Sequence, residues 1–397
     1  MMAKPKTKLP SADPGKAVAI LVGELLPPDD ERAQRILRNV NDFIEMAHGA
    51  LADSTLAALR SDGQLFASWC RRHHKAWLPA DPETVAKFVL DLGAVRKPTT
   101  ISRYIASIAL WHRAADLPNP TDALRVDMAR RKIARAWAQR EDVTLLKQAP
   151  PLGQAEMDEV LAAIAAKPVL LPSDVRDRAL LLVARDSMAR ASELVALRWE
   201  DLEADESDGS GTIVIRRGKT DQTGEGRVAW LAPETMAALA AWRQVLIDHI
   251  AAVRERFIAD LKQREKANQR FYRSQPRIAS LMEAERRARA RLQNLPEAPG
   301  QRIFWQLDGQ PSDRLTRESV SRIFKARSAA ATGRMEFSAH STRVGTAQDL
   351  IEAGADLVGI MNAGGWKSPA MVARYTKRLA AGGGAVAQMR KGRSAER

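Results

Sequence analysis

Through the first 140 residues, apolar positions recur at helical spacing between polar turns. Ile36, Val40, Phe43 and Ile44 share one face, and Asp29-Asp30-Glu31 supplies the helix start before them. Ala50 to Ser54 reads as a turn, with Asp53 or Ser54 capping a second helix that turns Leu56, Leu59, Leu65, Phe66 and Trp69 inward. Leu78 to Pro82 reads as a loop and N-cap, and Val85, Phe88, Val89 and Leu92 face one way after it. Pro98-Thr99-Thr100 starts a helix through Ile101, Ile105, Ile108 and Leu110, and Pro118 and Pro120 end that region. A further helix, Val126 to Trp137, carries Arg130, Arg131, Lys132 and Arg135. The segment 141–151, EDVTLLKQAPP, ends in a proline pair that cannot continue a helix and reads as a linker.

Helical periodicity resumes over residues 152–205, most clearly from Arg176 to Ala184. The pattern then changes. Thr212 to Ile215 and Val228 to Leu231 alternate with period two about a polar stretch, Gly218 to Gly226, which predicts a β-hairpin. Ala232-Pro233-Glu234-Thr235 opens a helix expected to end near residue 250. Val253, Phe257 and Leu261 lie on one helical face, Ile278, Leu281, Ala284 and Ala288 on another, and Ser274-Gln275-Pro276 breaks between them. Residues 251–300 therefore read as a helical hairpin. A short strand is expected at Ile303-Phe304-Trp305, and a helix from Leu315-Thr316-Arg317 through Val320 and Phe324. The fold class that follows is mainly α, with a small β-hairpin. Its parts are a tail over residues 1–27, a helical domain over 28–140, the linker, and a second domain over 152–397.

Composition narrows the function. Lys and Arg number 62 against 48 Asp and Glu, a formal charge of +14. That surplus fits either a polyanion partner or a merely basic soluble protein. One cysteine, Cys70 in FASWC, excludes an intramolecular disulfide framework and a cysteine-based zinc site, and its apolar setting reads as core. The six histidines show no metal-ligand spacing, so no metal is expected. No uninterrupted apolar run reaches membrane-spanning length. Residues 17–27 weakly mimic a secretion signal, but Glu24 interrupts them and no small-residue cleavage pattern follows; a cytoplasmic, nucleoid-associated location without membrane contact is expected.

The chemistry concentrates between Ser338 and Tyr375, SAHSTRVGTAQDLIEAGADLVGIMNAGGWKSPAMVARY. His340 and Arg343 stand one helical turn apart, so both side chains can address one target. Gly354 closes their helix, Gly364 and Gly365 break the next one before Trp366, and Ser368-Pro369 starts a third, which carries Tyr375. H-x-x-R, then G-W, then Y, in this order and at these intervals, resembles the C-terminal signature of the tyrosine recombinases, the phage integrase family. Trp366 stands where many members place a second histidine, which resembles the branch that uses tryptophan. FASWCRRHHKAWLPADPETVAKFVLDL likewise resembles the family's helical core-binding domain.

The resemblance implies a two-domain clamp around duplex DNA and a set of catalytic residues. The family places an arginine before x-S-E-L, which maps onto Arg190 in RASEL, with the acidic partner at Glu193. Its catalytic lysine rides on the mobile hairpin and maps onto Lys219, although Arg216 and Arg217 are nearby cations. Arg190 and Arg343 would neutralise the non-bridging phosphate oxygens, His340 and Trp366 would donate further hydrogen bonds, and Tyr375 would attack phosphorus. The product implied is a 3′-phosphotyrosine with a free 5′-hydroxyl, and Lys219 is the acid for that leaving oxygen. No cofactor is implied, because the arginine pair takes a metal's role. Arg103 and Arg317 fall at base-reading positions; a phosphate contact or plain surface arginine stays open for Arg103, and Arg334 reads as a backbone contact.

The partner implied is double-stranded DNA bearing an inverted repeat, with a homodimer per site and a homotetramer in synapsis. The segment 376–397, with a glycine hinge at Gly382 to Gly384, would dock into a neighbouring subunit. Residues 251–300 depart from the family pattern, and either touch flanking DNA or a neighbouring protomer, or form a tolerated surface insertion. Two other functions share these residues: a relaxing enzyme like a type IB topoisomerase or a telomere resolvase, and a non-catalytic DNA-binding regulator on the same scaffold.

Overall fold

The computed structural model describes residues 31–140, 149–216, 226–271, 283, 286–287, 300–307, 312 and 315–382. The expected N-terminal tail, most of the linker, the tip of the β-hairpin with Lys219, nearly all of the second half of the 251–300 segment and the docking tail beyond Gly382 lie outside these residues. The chain divides into two compact units, Met1–Lys147 and Gln148–Arg397.

Among the described residues, the first unit holds the α-helices α1 Glu31–Ala50, α2 Asp53–Arg72, α3 Pro82–Gly93, α4 Pro98–Ala114 and α5 Leu124–Ala138, with a short 3-10 turn at Pro120–Asp122. Local chemistry sets several boundaries. Gly49, at φ +84°, breaks the regular geometry of α1. Asp81 accepts the Thr84 N–H at 2.7 Å and Pro82 occupies the first turn of α3. The expected side-chain cap on α2 is not made: Ala52 is its N-cap, and Asp53 is already inside the helix. Phe66, Trp69 and Phe88 meet edge-on at the centre, with ring centroids 4.9 and 5.5 Å from Phe88. Gly93 lets α3 approach α5, because a Cβ there would fall 2.1 Å from Ile133.

The second unit contains α6 Gln154–Ala165, α7 Pro172–Asp186, the single turn α8 Ala191–Leu194, a sheet, α9 Pro233–Phe271, α10 Arg317–Thr332, α11 Ala339–Glu352, α12 Leu357–Gly364 and α13 Pro369–Gly382. The sheet is antiparallel in the order β1 Leu202–Ala204, β2 Gly211–Ile215, β3 Arg227–Leu231. Ile213 pairs with Ala229 and Ile215 with Arg227, which puts Ile213, Ile215, Ala229 and Leu231 on the buried face. Leu180, Trp242, Phe304, Phe324 and Phe337 fill the main core.

Two elements differ from the expected pattern. The helix expected to end near residue 250 runs unbroken to Phe271, for 39 residues, so the first arm of the expected hairpin is its continuation. Over Pro233–Lys266 it is long and apolar enough to cross a membrane by length and composition alone. Its apolar residues Leu239, Trp242, Leu246 and Ile250 are instead buried in the core of the unit. Ile303-Phe304-Trp305 is not a strand: the segment is buried core, held by single hydrogen bonds from Ile303 N–H to the Leu197 carbonyl and from Trp242 Nε1 to the Ile303 carbonyl, at 3.0 and 2.8 Å.

A buried ion cluster ties α10 to α7. Arg327 meets Asp174 and Asp177 at 2.6 Å each, Lys167 meets Asp174 at 2.6 Å, and Arg176 meets Asp177 at 2.7 Å. Burial pulls the pKa of Arg327 down, but the charges of the two aspartates hold it above the ordinary guanidinium value.

Candidate active site

Each site residue is delivered by a turn or a helix end. Ser338 is the N-cap of α11, and its N–H donates to Ser341 Oγ at 3.0 Å. One turn in, His340 and Arg343 project from the same side. Asp356 caps α12 by accepting the Gly359 N–H at 2.7 Å. Gly365, at φ +58°, then reverses the chain so that Trp366 folds back beside α12. Gln348 Nε2 donates to the Tyr375 carbonyl at 2.9 Å, which fixes α13 against α11.

The result is a continuous stack. The Arg343 guanidinium lies 5.1 Å from the Trp366 ring centroid. The Trp366 ring lies 5.3 Å from the Tyr375 ring, and His340 meets Tyr375 edge-on at 5.5 Å. Tyr375 and Trp366 are buried in a small cluster with Met188, Val344, Ala347, Ile360 and Val372.

Arg190 enters from the other side as the N-cap of α8. Its backbone N–H donates to Glu193 Oε2 at 3.0 Å and its guanidinium to Glu193 Oε1 at 2.6 Å. Glu193 is only 2% exposed. Arg343 is buried too, and donates to the carbonyls of Met188 and of Gly364, the latter at 2.7 Å. These carbonyls follow the ends of α7 and close α12, where the helix dipole favours a cation. Nε of Arg343 is buried without a hydrogen-bond partner among the described residues. Burial, then the charge of Arg190, pushes the Arg343 pKa down to about 10. Burial, then Arg343, Arg190 and Arg374, holds His340 below the ordinary histidine value. Cations here are short of negative charge, and an anion between Arg190 and Arg343 would relieve them.

Arg190, Glu193, His340, Arg343, Trp366 and Tyr375 therefore belong to one constellation, while Lys219 lies outside the described residues. The three further arginines have other partners. Arg103, in the first unit, is held by Asp62 at 2.6 Å, and Ser107 donates to the same carboxylate at 2.8 Å. Arg317 is exposed at the start of α10, where Thr316 caps the helix by accepting the Ser319 N–H at 3.1 Å. Arg334 pairs with Glu336 at 2.7 Å and lies 4.5 Å from the Phe337 ring centroid.

The sequence reading missed Arg227. It is the first residue of β3 and reaches into the constellation, with Nη2 3.7 Å from Glu193 Oε2. The signal was there: Arg227, Ala229 and Leu231 share the inward face of an alternating strand, where a cation needs a partner.

A mainly helical unit with a small antiparallel sheet, presenting this cationic, aromatic cluster, defines a class, and the chain belongs to it: residues 152–381 match the phage integrase family. Among curated proteins, the chain is similar to the recombinase Cre of Escherichia phage P1, at 25% identity over 365 residues, 91% of this chain and 94% of Cre. It is also similar to an integrase/recombinase XerD homolog of Selenomonas ruminantium, at 31% identity over 193 residues, 48% of this chain and 54% of that protein. Among solved structures, its fold resembles that of the XerH site-specific recombinase, with a TM-score of 0.53 at 15% identity, covering 93% of this chain and 94% of XerH.

Proposed function

We propose that this protein is a conservative site-specific DNA recombinase that cleaves and rejoins strands through Tyr375. The observation that carries the reading is the stack Arg343–Trp366–Tyr375–His340 facing the Arg190–Glu193 pair. A phosphodiester resists attack because its oxygens are negative. Two guanidiniums lower that barrier by favouring the more highly charged transition state, worth on the order of 3 kcal/mol for each well-placed donor. Tyr375 Oη gives up its proton to neutral His340 beside it and attacks phosphorus, the P–O5′ bond breaks, and Lys219 gives a proton to the leaving oxygen. The 3′-phosphotyrosine retains the ester's energy, so a 5′-hydroxyl from another strand restores DNA and releases Tyr375. Glu193 orients the arginines, and Trp366, which can only donate, serves position and charge rather than proton transfer.

A dimer forms on an inverted repeat, two such sites pair as a tetramer, and the helical first unit closes around the duplex with the second. Arg103 and Arg317 read bases, and Arg334 contacts the DNA backbone. Support comes from the +14 charge and from the fold of XerH, solved bound to a palindromic difH substrate in a post-cleavage complex.

Covalent capture tests it. Wild type and Tyr375→Phe are incubated with fragmented DNA of the source organism, denatured, and the linked DNA is sequenced. A recurrent inverted repeat linked only to wild type is expected. Linkage that survives Tyr375→Phe removes Tyr375 as nucleophile, and no linkage by wild type removes the enzyme reading. A plasmid carrying two copies of the recovered site then separates deletion or inversion from relaxation alone and from hairpin ends.

A further inference from the structure

Arg227 and Arg343 bind the same two turns in register. Arg343 donates to the carbonyls of Met188 and Gly364, while Arg227 donates to the preceding carbonyl in each turn, Ser187 at 2.6 Å and Ala363 at 3.1 Å. The first turn leads into Arg190 and the second into Trp366. Ser187 and Met188 follow the C-terminus of α7, and Ala363 and Gly364 close α12, where successive carbonyls point outward with partial negative charge.

The surroundings are shaped to this arginine. Gly365 passes so close that a Cβ there would lie 3.0 Å from Arg227 Cδ and 3.1 Å from its Nε. The guanidinium is mostly buried, and burial pulls its pKa down against the opposing charge of Glu193. A cation is kept there at a cost, so it has a structural task that a neutral side chain would not perform. It also sits on the last described rung of the β2–β3 pair, opposite Ile215, so it pins the sheet to both turns.

We propose that Arg227 is a positioning residue for strand cleavage: it fixes the spacing of the two turns that seat Arg343, and thereby the register of Arg343 against Arg190 and Trp366. This rests on the recombinase reading above. Arg227 acts through Arg343, without touching the phosphate. Its removal lets the turns drift while leaving the DNA-binding surfaces intact. A drift of about 1 Å at the reacting centre costs on the order of 10²-fold in rate.

The test is a double-mutant cycle on single-turnover cleavage. The substrate is the duplex recovered by covalent capture, nicked near the cleavage point so that the reaction runs one way. Arg227→Gln should slow formation of the covalent complex by on the order of 10²-fold, with DNA affinity within about twofold of wild type. Arg227→Lys, which keeps a charged donor, should recover part of that loss. In an Arg343→Lys background, Arg227→Gln should have little further effect, because the seat it maintains no longer holds a guanidinium. A purely structural role predicts the opposite: additive losses, reduced DNA affinity and no rescue by lysine. Wild-type cleavage with an unimpaired Arg227→Gln variant overturns the proposal and leaves the recombinase reading standing. Failure of wild type itself to link to DNA overturns both.

Discussion

Gly345 lies in α11 two residues beyond Arg343, where the backbone of Leu152 crosses the helix. A Cβ at position 345 would fall 2.1 Å from the Leu152 carbonyl oxygen, 2.3 Å from its carbon and 2.6 Å from Gly153 N. The crossing chain has little room, because Leu152 is fully buried and donates its N–H to the Ser341 carbonyl at 3.0 Å. Gly345→Ala must separate the two segments by roughly 1 Å, since non-bonded carbons sit comfortably only at about 3.5 Å or more. Overpacking of this kind costs about 1–3 kcal/mol of stability. The larger effect is on His340 and Arg343, which share the displaced helix. A shift of about 1 Å there should slow cleavage on the order of 10²-fold, equivalent to about 2.7 kcal/mol. Single-turnover covalent-complex formation, a binding titration and a thermal melt measure the three quantities separately. If the Leu152 side yields instead of the helix, the melting temperature falls while the cleavage constant holds. Cleavage, affinity and melting temperature all close to wild type would refute the reasoning.

The remaining predictions concern pH and the ion cluster. Because the folded-state pKa of His340 lies below the ordinary value, the unfolded chain takes up its proton first as pH falls through about 6.5. Stability is lost from there down to the folded-state pKa, by a small amount, because the His340 side chain is exposed and solvent screens its charge. Urea titrations at pH 7.5 and 5.5 should show a smaller loss for His340→Gln than for wild type; equal losses count against it. Some slope should persist, because His112 and His249 are shifted the same way, by burial first. Arg327→Met should cost roughly 3 kcal/mol in denaturant titration, because it strips one partner from the buried Asp174 and Asp177 at once. A change below about 1 kcal/mol would show that Lys167 and Arg176 suffice.

Most of the helices and the two longer strands were legible because period and punctuation agreed. Pro82 and Pro98 mark starts, Gly354 and Gly365 mark stops, and Ile213 and Ile215 alternate with outward neighbours. The signature residues were legible for the same reason: helix ends are written locally, and they bring His340, Trp366 and Tyr375 together. Where punctuation was absent, the reading failed. Nothing between Ile250 and Phe271 is a glycine or proline, so the helix had no reason to stop where the core ended. Ile303-Phe304-Trp305 showed how a three-residue apolar run carries too little pattern to separate strand from buried coil. β1, Leu202–Ala204, is equally short and became a strand only by pairing with β2. Strand alternation marked Arg227 as inward, but its partners needed the fold itself, since they are carbonyls 40 and 136 residues away.

Cys70 packs against the first unit's core with no exposure, and burial pushes its thiol up to about 12. As the chain's sole cysteine, it leaves the native surface blank to thiol-directed dyes. One new cysteine on an exposed helix of each unit would then accept a donor and an acceptor fluorophore, with no native residue removed. Energy transfer between them would report the separation of the two units in real time as DNA is added.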